Sequence, residues 1–309
     1  MNPENDEELE NNEVQVPIDE TRSEETASEI ISSEITSPEI TTSEADNIFL
    51  LLGDGKYSTS PKKGYIFSCN ARFNGRGAFN DGPWIEGDVW DPSEKVTVDG
   101  EVVWKNAEIT ITLTDDERII ESNNLPTDQT TGTFPIAKTD DAYYYDRNPN
   151  SIEEQTIEVS LPRIPTLAKS PSCTSQGAVG ILLNGVLLFN GFDAAGRDAV
   201  AHEIQDSCDG HPQESGQYHY HSESSCIDDT RDNEAHSELF GYGSDGFGIY
   251  GKYGEEGNLL YTDDLDECHG HTHEIVWDGE TQSSYHYHFT DDFPYSIGCF
   301  KGDPVEIRT

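Results

Sequence analysis

Two stretches of this chain repeat the order Tyr-His-Tyr-His, at Tyr218–His221 and at Tyr285–His288. Each is preceded by Asp-x-Cys-x-Gly-His: Asp206, Cys208, Gly210 and His211 in the first copy, Asp266, Cys268, Gly270 and His271 in the second. Each is followed by a further cysteine, Cys226 or Cys299. Alternate residues of a strand share a face and stand roughly 6.5–7 Å apart along it. His219 and His221 therefore point one way, and Tyr218 and Tyr220 point into the core; His286 and His288 stand in the same relation to Tyr285 and Tyr287. With His211 or His271 as a third donor, each copy offers three imidazoles and no free thiolate, a set that suits zinc, copper or nickel. Three protein ligands leave a coordination position open and four close it. Candidates for a fourth are His269, His273, His236, Asp206 and Asp266. The expected metal ligands are thus His211, His219, His221, His271, His286 and His288, and the expected cofactor is a divalent transition metal, copper or zinc.

The competing reading is a packing device in which neutral imidazoles donate to Asp206 and Asp266. Two copies of the motif, each with an extra histidine and a cysteine pair, favour the metal. Other signals carry less. Gly241–Gly246 matches G-x-G-x-x-G, but strand-like Phe247–Tyr250 follows where a nucleotide site needs a helix. His202-Glu203 begins a metalloprotease-like H-E-x-x-H, yet Asp206 occupies the second histidine position. Asp263, Asp264, Asp266 and Glu267 lack the spacing of a calcium loop. No catalytic nucleophile emerges.

The elements that must hold these residues read as mainly β. Asn184-Gly185 and Asp245-Gly246 each lie between short apolar runs, the signature of tight hairpins, and Asp99-Gly100 reads the same way. Ala107–Leu113 and Ile157–Leu161 alternate apolar and polar residues as half-buried strands do. Only short helices fit, such as one near Asp198–Gln205. Asn184 precedes Asp206 by 22 residues and Asp245 precedes Asp266 by 21, so the hairpin, the loop and the Tyr-His strand form an internally duplicated unit. The units span about 178–226 and 239–299, within a region of 171–303 that follows a β-rich region of 57–170. Residues 1–47 are a low-complexity Ser/Thr/Glu-rich segment with too little apolar surface to offset ordering, and are expected to form a disordered spacer.

Six cysteines without C-x-x-C argue for disulfides rather than a zinc ribbon. The repeat pairs Cys208 with Cys226 and Cys268 with Cys299, leaving Cys69 with Cys173. Such bonds imply an oxidising compartment. The opening Met-Asn-Pro-Glu-Asn-Asp shows no leader, so the expectation is a trimmed export signal or lipid anchor. Acidic residues outnumber basic ones 61 to 18, for a net charge of −43. Residues 1–47 hold 15 acidic and 1 basic, so the rest still carries −29. That field excludes nucleic acid as a partner and favours cations. No apolar run is long enough for a transmembrane helix.

The residues Asn184-Gly185-Val186, Ala195–Asp198, Tyr218–His221, Asp245–Gly251, Asp266–Cys268, Gly270-His271, Tyr285–His288 and Pro294–Cys299 resemble the YHYH protein family, over roughly residues 60 to 302. The resemblance implies an exported protein and specifies no reaction. Where the common family form has Pro, this chain has Gly248, which is no candidate ligand. The functional expectation is an exported metal-binding protein. The alternatives are a metal-dependent extracellular hydrolase or oxidoreductase, and a structural or adhesive β domain with packing histidines.

Overall fold

A computed structural model describes residues 49–308 except Asn74 and Arg76; the expected acidic spacer lies outside the described residues. The protein is mainly β. A three-stranded antiparallel sheet is formed by β1 (Ile109–Leu113), β2 (Glu117–Ser122) and β3 (Ile157–Pro162), with β2 in the middle. An eight-stranded sheet follows, built from β4 (Ala178–Leu182), β5 (Leu187–Phe189), β6 (Gly210–Pro212), β7 (Tyr218–Tyr220), β8 (Leu239–Gly243), β9 (Gly248–Tyr250), β10 (Gly270–Trp277) and β11 (Glu280–His288). Its order is β6-β7-β5-β4-β8-β9-β11-β10.

Read outward from the central antiparallel pair β4–β8, both halves run in the same sequence of pairings. A hairpin (β4–β5 or β8–β9) is joined in parallel to the Tyr-His strand (β7 or β11), which pairs antiparallel with the Gly-His strand (β6 or β10). Gly185 and Gly246 turn the two hairpins at φ +90° and +88°, a region glycine enters without steric cost.

Tyr218, Tyr220, Tyr285 and Tyr287 are buried together with Val179, Leu182, Phe240, Phe247, Ile249 and Phe289. Each tyrosine removes roughly 150–250 Å² from water, so at about 25 cal/mol per Å² the rings contribute several kcal/mol each. A second cluster, including Ile120, Val159, Leu161, Ile181, Tyr242, Tyr250 and Trp277, joins the three-stranded sheet to the large one. A third draws Leu52, Ile66, Trp84, Trp90 and Val98 against Phe192, Ile204, Phe293 and Tyr295.

The disulfides are Cys69–Cys173, Cys208–Cys226 and Cys268–Cys299, as expected. The only α-helix among the described residues, α1 (Ala199–His202), is one turn long and N-capped by Asp198, whose side chain accepts from the Ala201 amide. The expected hairpin at Asp99-Gly100 does not form. Val102–Val103 pairs with Thr130–Thr131, and Val98 bridges Asp206. Long-range partners bury Val98 to 2% exposure, which a local solvent-facing turn cannot offer. No described helix is long and apolar enough to cross a membrane.

Candidate functional site

Strand register places the first three histidines. His211 on β6 stands directly opposite His219 on β7, and His221 follows two residues on, so all three rings share a face. Their ring nitrogens gather within 4.8 Å of one another, and all three residues are buried. In the second half His271 stands opposite His286, with His288 two residues on. Here His236 and His273 also enter, making a five-histidine group. The six expected ligands are thus brought together as two triads. The chain connection before each triad is constrained in the same way: a Cβ at Gly210 would collide with the Tyr218 ring, and one at Gly270 with the Tyr285 hydroxyl.

The hydrogen bonds fix which nitrogen each ring presents. His221 Nδ1 lies 2.6 Å from the Asn190 carbonyl and His219 Nδ1 3.2 Å from the Gln217 carbonyl. His288 Nδ1 lies 2.6 Å from the Gly251 carbonyl and His286 Nδ1 3.1 Å from that of Ser284. His236 Nδ1 faces the Ser237 carbonyl at 2.7 Å. Carbonyls only accept, so these Nδ1 atoms carry the protons and each Nε2 offers a lone pair. Those lone pairs face one another. His219 Nε2 and His221 Nε2 are 3.1 Å apart. His271 Nε2 lies 3.1 Å from His286 Nε2 and 3.0 Å from His288 Nε2, and His236 Nε2 lies 3.2 and 3.1 Å from the same two atoms. Among the described residues, His211 has no hydrogen-bond partner for either ring nitrogen, and His273 Nε2 has none.

Lone pairs packed this way repel unless a cation sits among them. Protonation is disfavoured. Burial, followed by the neighbouring histidines, holds His211 well below the usual imidazole range. Burial lowers His221, His236 and His271 each to about 4. Neutral imidazoles are the form that binds metal. Metal–nitrogen bonds of about 2.0–2.1 Å set tetrahedral donor atoms about 3.3 Å apart, close to the spacings seen here. The donor set and spacing therefore fit a transition-metal ion in each cluster.

The carboxylates do not play the part expected of them. Asp206 Oδ1 accepts from the Cys208 amide at 2.9 Å, the Gly210 amide at 3.2 Å and the Tyr218 hydroxyl at 3.0 Å. Asp266 Oδ1 accepts from the Cys268 amide at 2.8 Å, the Gly270 amide at 3.2 Å and the Tyr285 hydroxyl at 3.0 Å. Neither serves an imidazole or joins a metal group, because loop amides and a buried phenol already claim them. They brace the Gly-His loops from the tyrosine side. His269 is also outside the cluster, bonded through Nε2 to Thr290 Oγ1 at 2.9 Å. Asp245 accepts from Tyr287, and Glu267 pairs with Lys301, so neither is a free group beside the histidines.

Sequence reasoning passed over Glu203. It caps the C-terminus of α1, and its Oε2 lies 3.6 Å from His211 Nε2 and 3.7 Å from His221 Nε2. Burial, with Asp193 and Asp146 nearby, pushes its carboxyl well above the usual range. Its place in the broken H-E-x-x-H was the available signal.

Residues 158–260 match the family model described as YHYH protein. The chain contains a YHYH domain. The match takes in the first Tyr-His strand and the β8–β9 hairpin; the second Tyr-His strand, at Tyr285–His288, lies beyond it. No curated protein and no solved structure matches the chain.

Proposed function

We propose that this YHYH-domain protein is an exported metal-binding protein that holds copper or zinc at two histidine sites, one per half of the eight-stranded sheet. The observation that carries the reading is the convergence of ring nitrogens in two clusters, in which the Nδ1 atoms of His219, His221, His236, His286 and His288 are bound to carbonyls and their Nε2 atoms turn inward. His211, His219 and His221 hold one ion. His271, His286 and His288, joined by His236, hold the other. The matched pairing order of the two halves supports an internal duplication as the origin of the pair. Three disulfides support export to an oxidising compartment, and the acidic charge of −43 draws cations.

A second reading, a metal-dependent enzyme, is favoured by one feature. His271 lines two open clefts of about 540 and 530 Å³, so an ion in the second cluster would be reached by a small molecule. A bound ion there would supply Lewis acidity, and the protein residues would position what enters.

Elemental mass spectrometry of untagged protein, purified without chelators, tests the proposal. Two equivalents of copper or zinc support it. A folded protein that takes up neither metal on titration returns the histidines to a packing role.

A further inference from the structure

Glu203 lies at an awkward distance from the first cluster for anything but coordination. At 3.6 and 3.7 Å from two imidazole nitrogens it is too far for a hydrogen bond. With metal–oxygen bonds of about 2.0–2.2 Å and metal–nitrogen bonds of about 2.0–2.1 Å, neighbouring donors on a tetrahedron stand about 3.3–3.5 Å apart. Glu203 Oε2 sits slightly outside that edge from His211 and His221 and does not share the 4.8 Å grouping of the three histidines, so its side chain must move toward His219 to complete the set. Among the described residues, no amide or side chain donates a hydrogen bond to its carboxylate. Its side chain is 15% exposed, so the charge is largely withdrawn from water, and His211 beside it has both ring nitrogens buried and unpartnered. A largely enclosed carboxyl group with no donor faces an imidazole whose two nitrogens also lack partners, and a cation between them would satisfy both.

Resting on the two-site reading above, we propose that Glu203 is the fourth ligand of the first site, giving a closed site of three histidines and one carboxylate. The second group differs: among the described residues His236, from the loop ahead of β8, and His273 complete an all-imidazole set, with the exposed Glu255 Oε1 at its edge, 3.9 Å from His273 Nδ1. The two sites therefore differ in kind. The first carries an anionic oxygen donor in an enclosed position and favours zinc in a structural role. The second has imidazole donors only, is more exposed, and favours exchangeable copper. Asp198 anchors the arrangement. Its carboxylate caps the N-terminus of α1 and also accepts from the Gly53 amide at 2.8 Å and the Tyr295 hydroxyl at 2.7 Å, which anchors the one-turn helix whose opposite end carries Glu203.

The test uses the full chain carrying His286→Ala and His288→Ala, which leaves only the first site, titrated with zinc alone. Glu203→Gln in that background should weaken zinc binding at least 10-fold. Glu203→Asp, which keeps the charge and withdraws the oxygen by one methylene, should weaken it similarly. X-ray absorption of the zinc-loaded parent should show three imidazoles and one carboxylate oxygen. Zinc affinity within two-fold of the parent in both Glu203 variants overturns the ligand assignment while leaving the histidine site standing. Failure of the parent to bind zinc overturns this proposal, and failure to bind copper as well overturns the two-site reading.

Discussion

His221 Nδ1 lies 2.6 Å from the carbonyl oxygen of Asn190, and that contact decides which side of the ring faces the cluster. Turning the ring would strand a buried donor and acceptor at a cost of about 1–3 kcal/mol. The Nε2 lone pair is thereby aimed before any ion arrives. A preorganised ring loses little freedom on binding, so removing the rings should remove metal without removing the fold. His219→Ala with His221→Ala is expected to lose one equivalent of metal, and His286→Ala with His288→Ala the other. The tyrosines on the opposite face keep their burial, so far-UV circular dichroism should be unchanged. Two equivalents retained in both variants would reject the assignment.

The metal-free protein should lose stability as it is acidified. Burial lowers His221 to about 4 in the folded state, against about 6.5 when unfolded. Between those values the unfolded chain binds the proton and the folded chain does not. Stability is therefore present above pH 6.5 and falls as pH drops toward 4, by about 1.4 kcal/mol per pH unit for each such group. Urea unfolding in chelator between pH 4 and 7 measures the slope. The buried carboxyls of Asp198 and Glu223, pushed up to about 6 and about 7, oppose this slope, so the histidine share is the difference between the parent and the His219→Ala, His221→Ala variant, and no difference would mean the histidines are not held neutral.

Asp206 organises the first Gly-His loop, so its loss should be felt in both stability and binding. Asp206→Asn turns one oxygen into a donor facing amide or hydroxyl donors, among them the Gly132 amide at 2.8 Å from Oδ2. The expected cost is about 1–3 kcal/mol. Zinc affinity should drop at the first site and hold at the second, with Asp266→Asn giving the mirror result. Chemical denaturation and metal titration together check this. Equal effects on both sites would show a general loosening instead.

Cys268–Cys299 closes a loop across 31 residues and ties the second Gly-His segment to the chain end that packs beneath it. Replacing both with serine should lower stability by about 3–4 kcal/mol on the chain-entropy account. Thermal unfolding reads the loss, and non-reducing peptide mapping of the parent should recover the three pairings.

Much of the site was legible because it is written in local rules. The period of two in Tyr218–His221 sorts imidazoles from phenols. Asn184-Gly185 and Asp245-Gly246 announce their turns through the need for positive φ. Asp99-Gly100 carries the same local signal and yields no hairpin, because Val98 and Val102 find partners far along the chain that bury them better.

By itself, the sequence determined that this protein is β-rich, which side chains share a face, how its cysteines divide, and that imidazoles would gather in two triads. These follow from spacing along one or two strands. Tertiary structure alone decided which other side chains stand beside the triads. His236 comes from a connecting loop 50 residues before His286, and Glu203 comes from the end of a one-turn helix. Neither has a periodic relation to the strands it meets. It decided, too, that Asp206 and Asp266 serve amides and phenols rather than histidines. A carboxylate satisfies whichever donors burial leaves without water, and that competition is settled only when the sheet and its loops close around it.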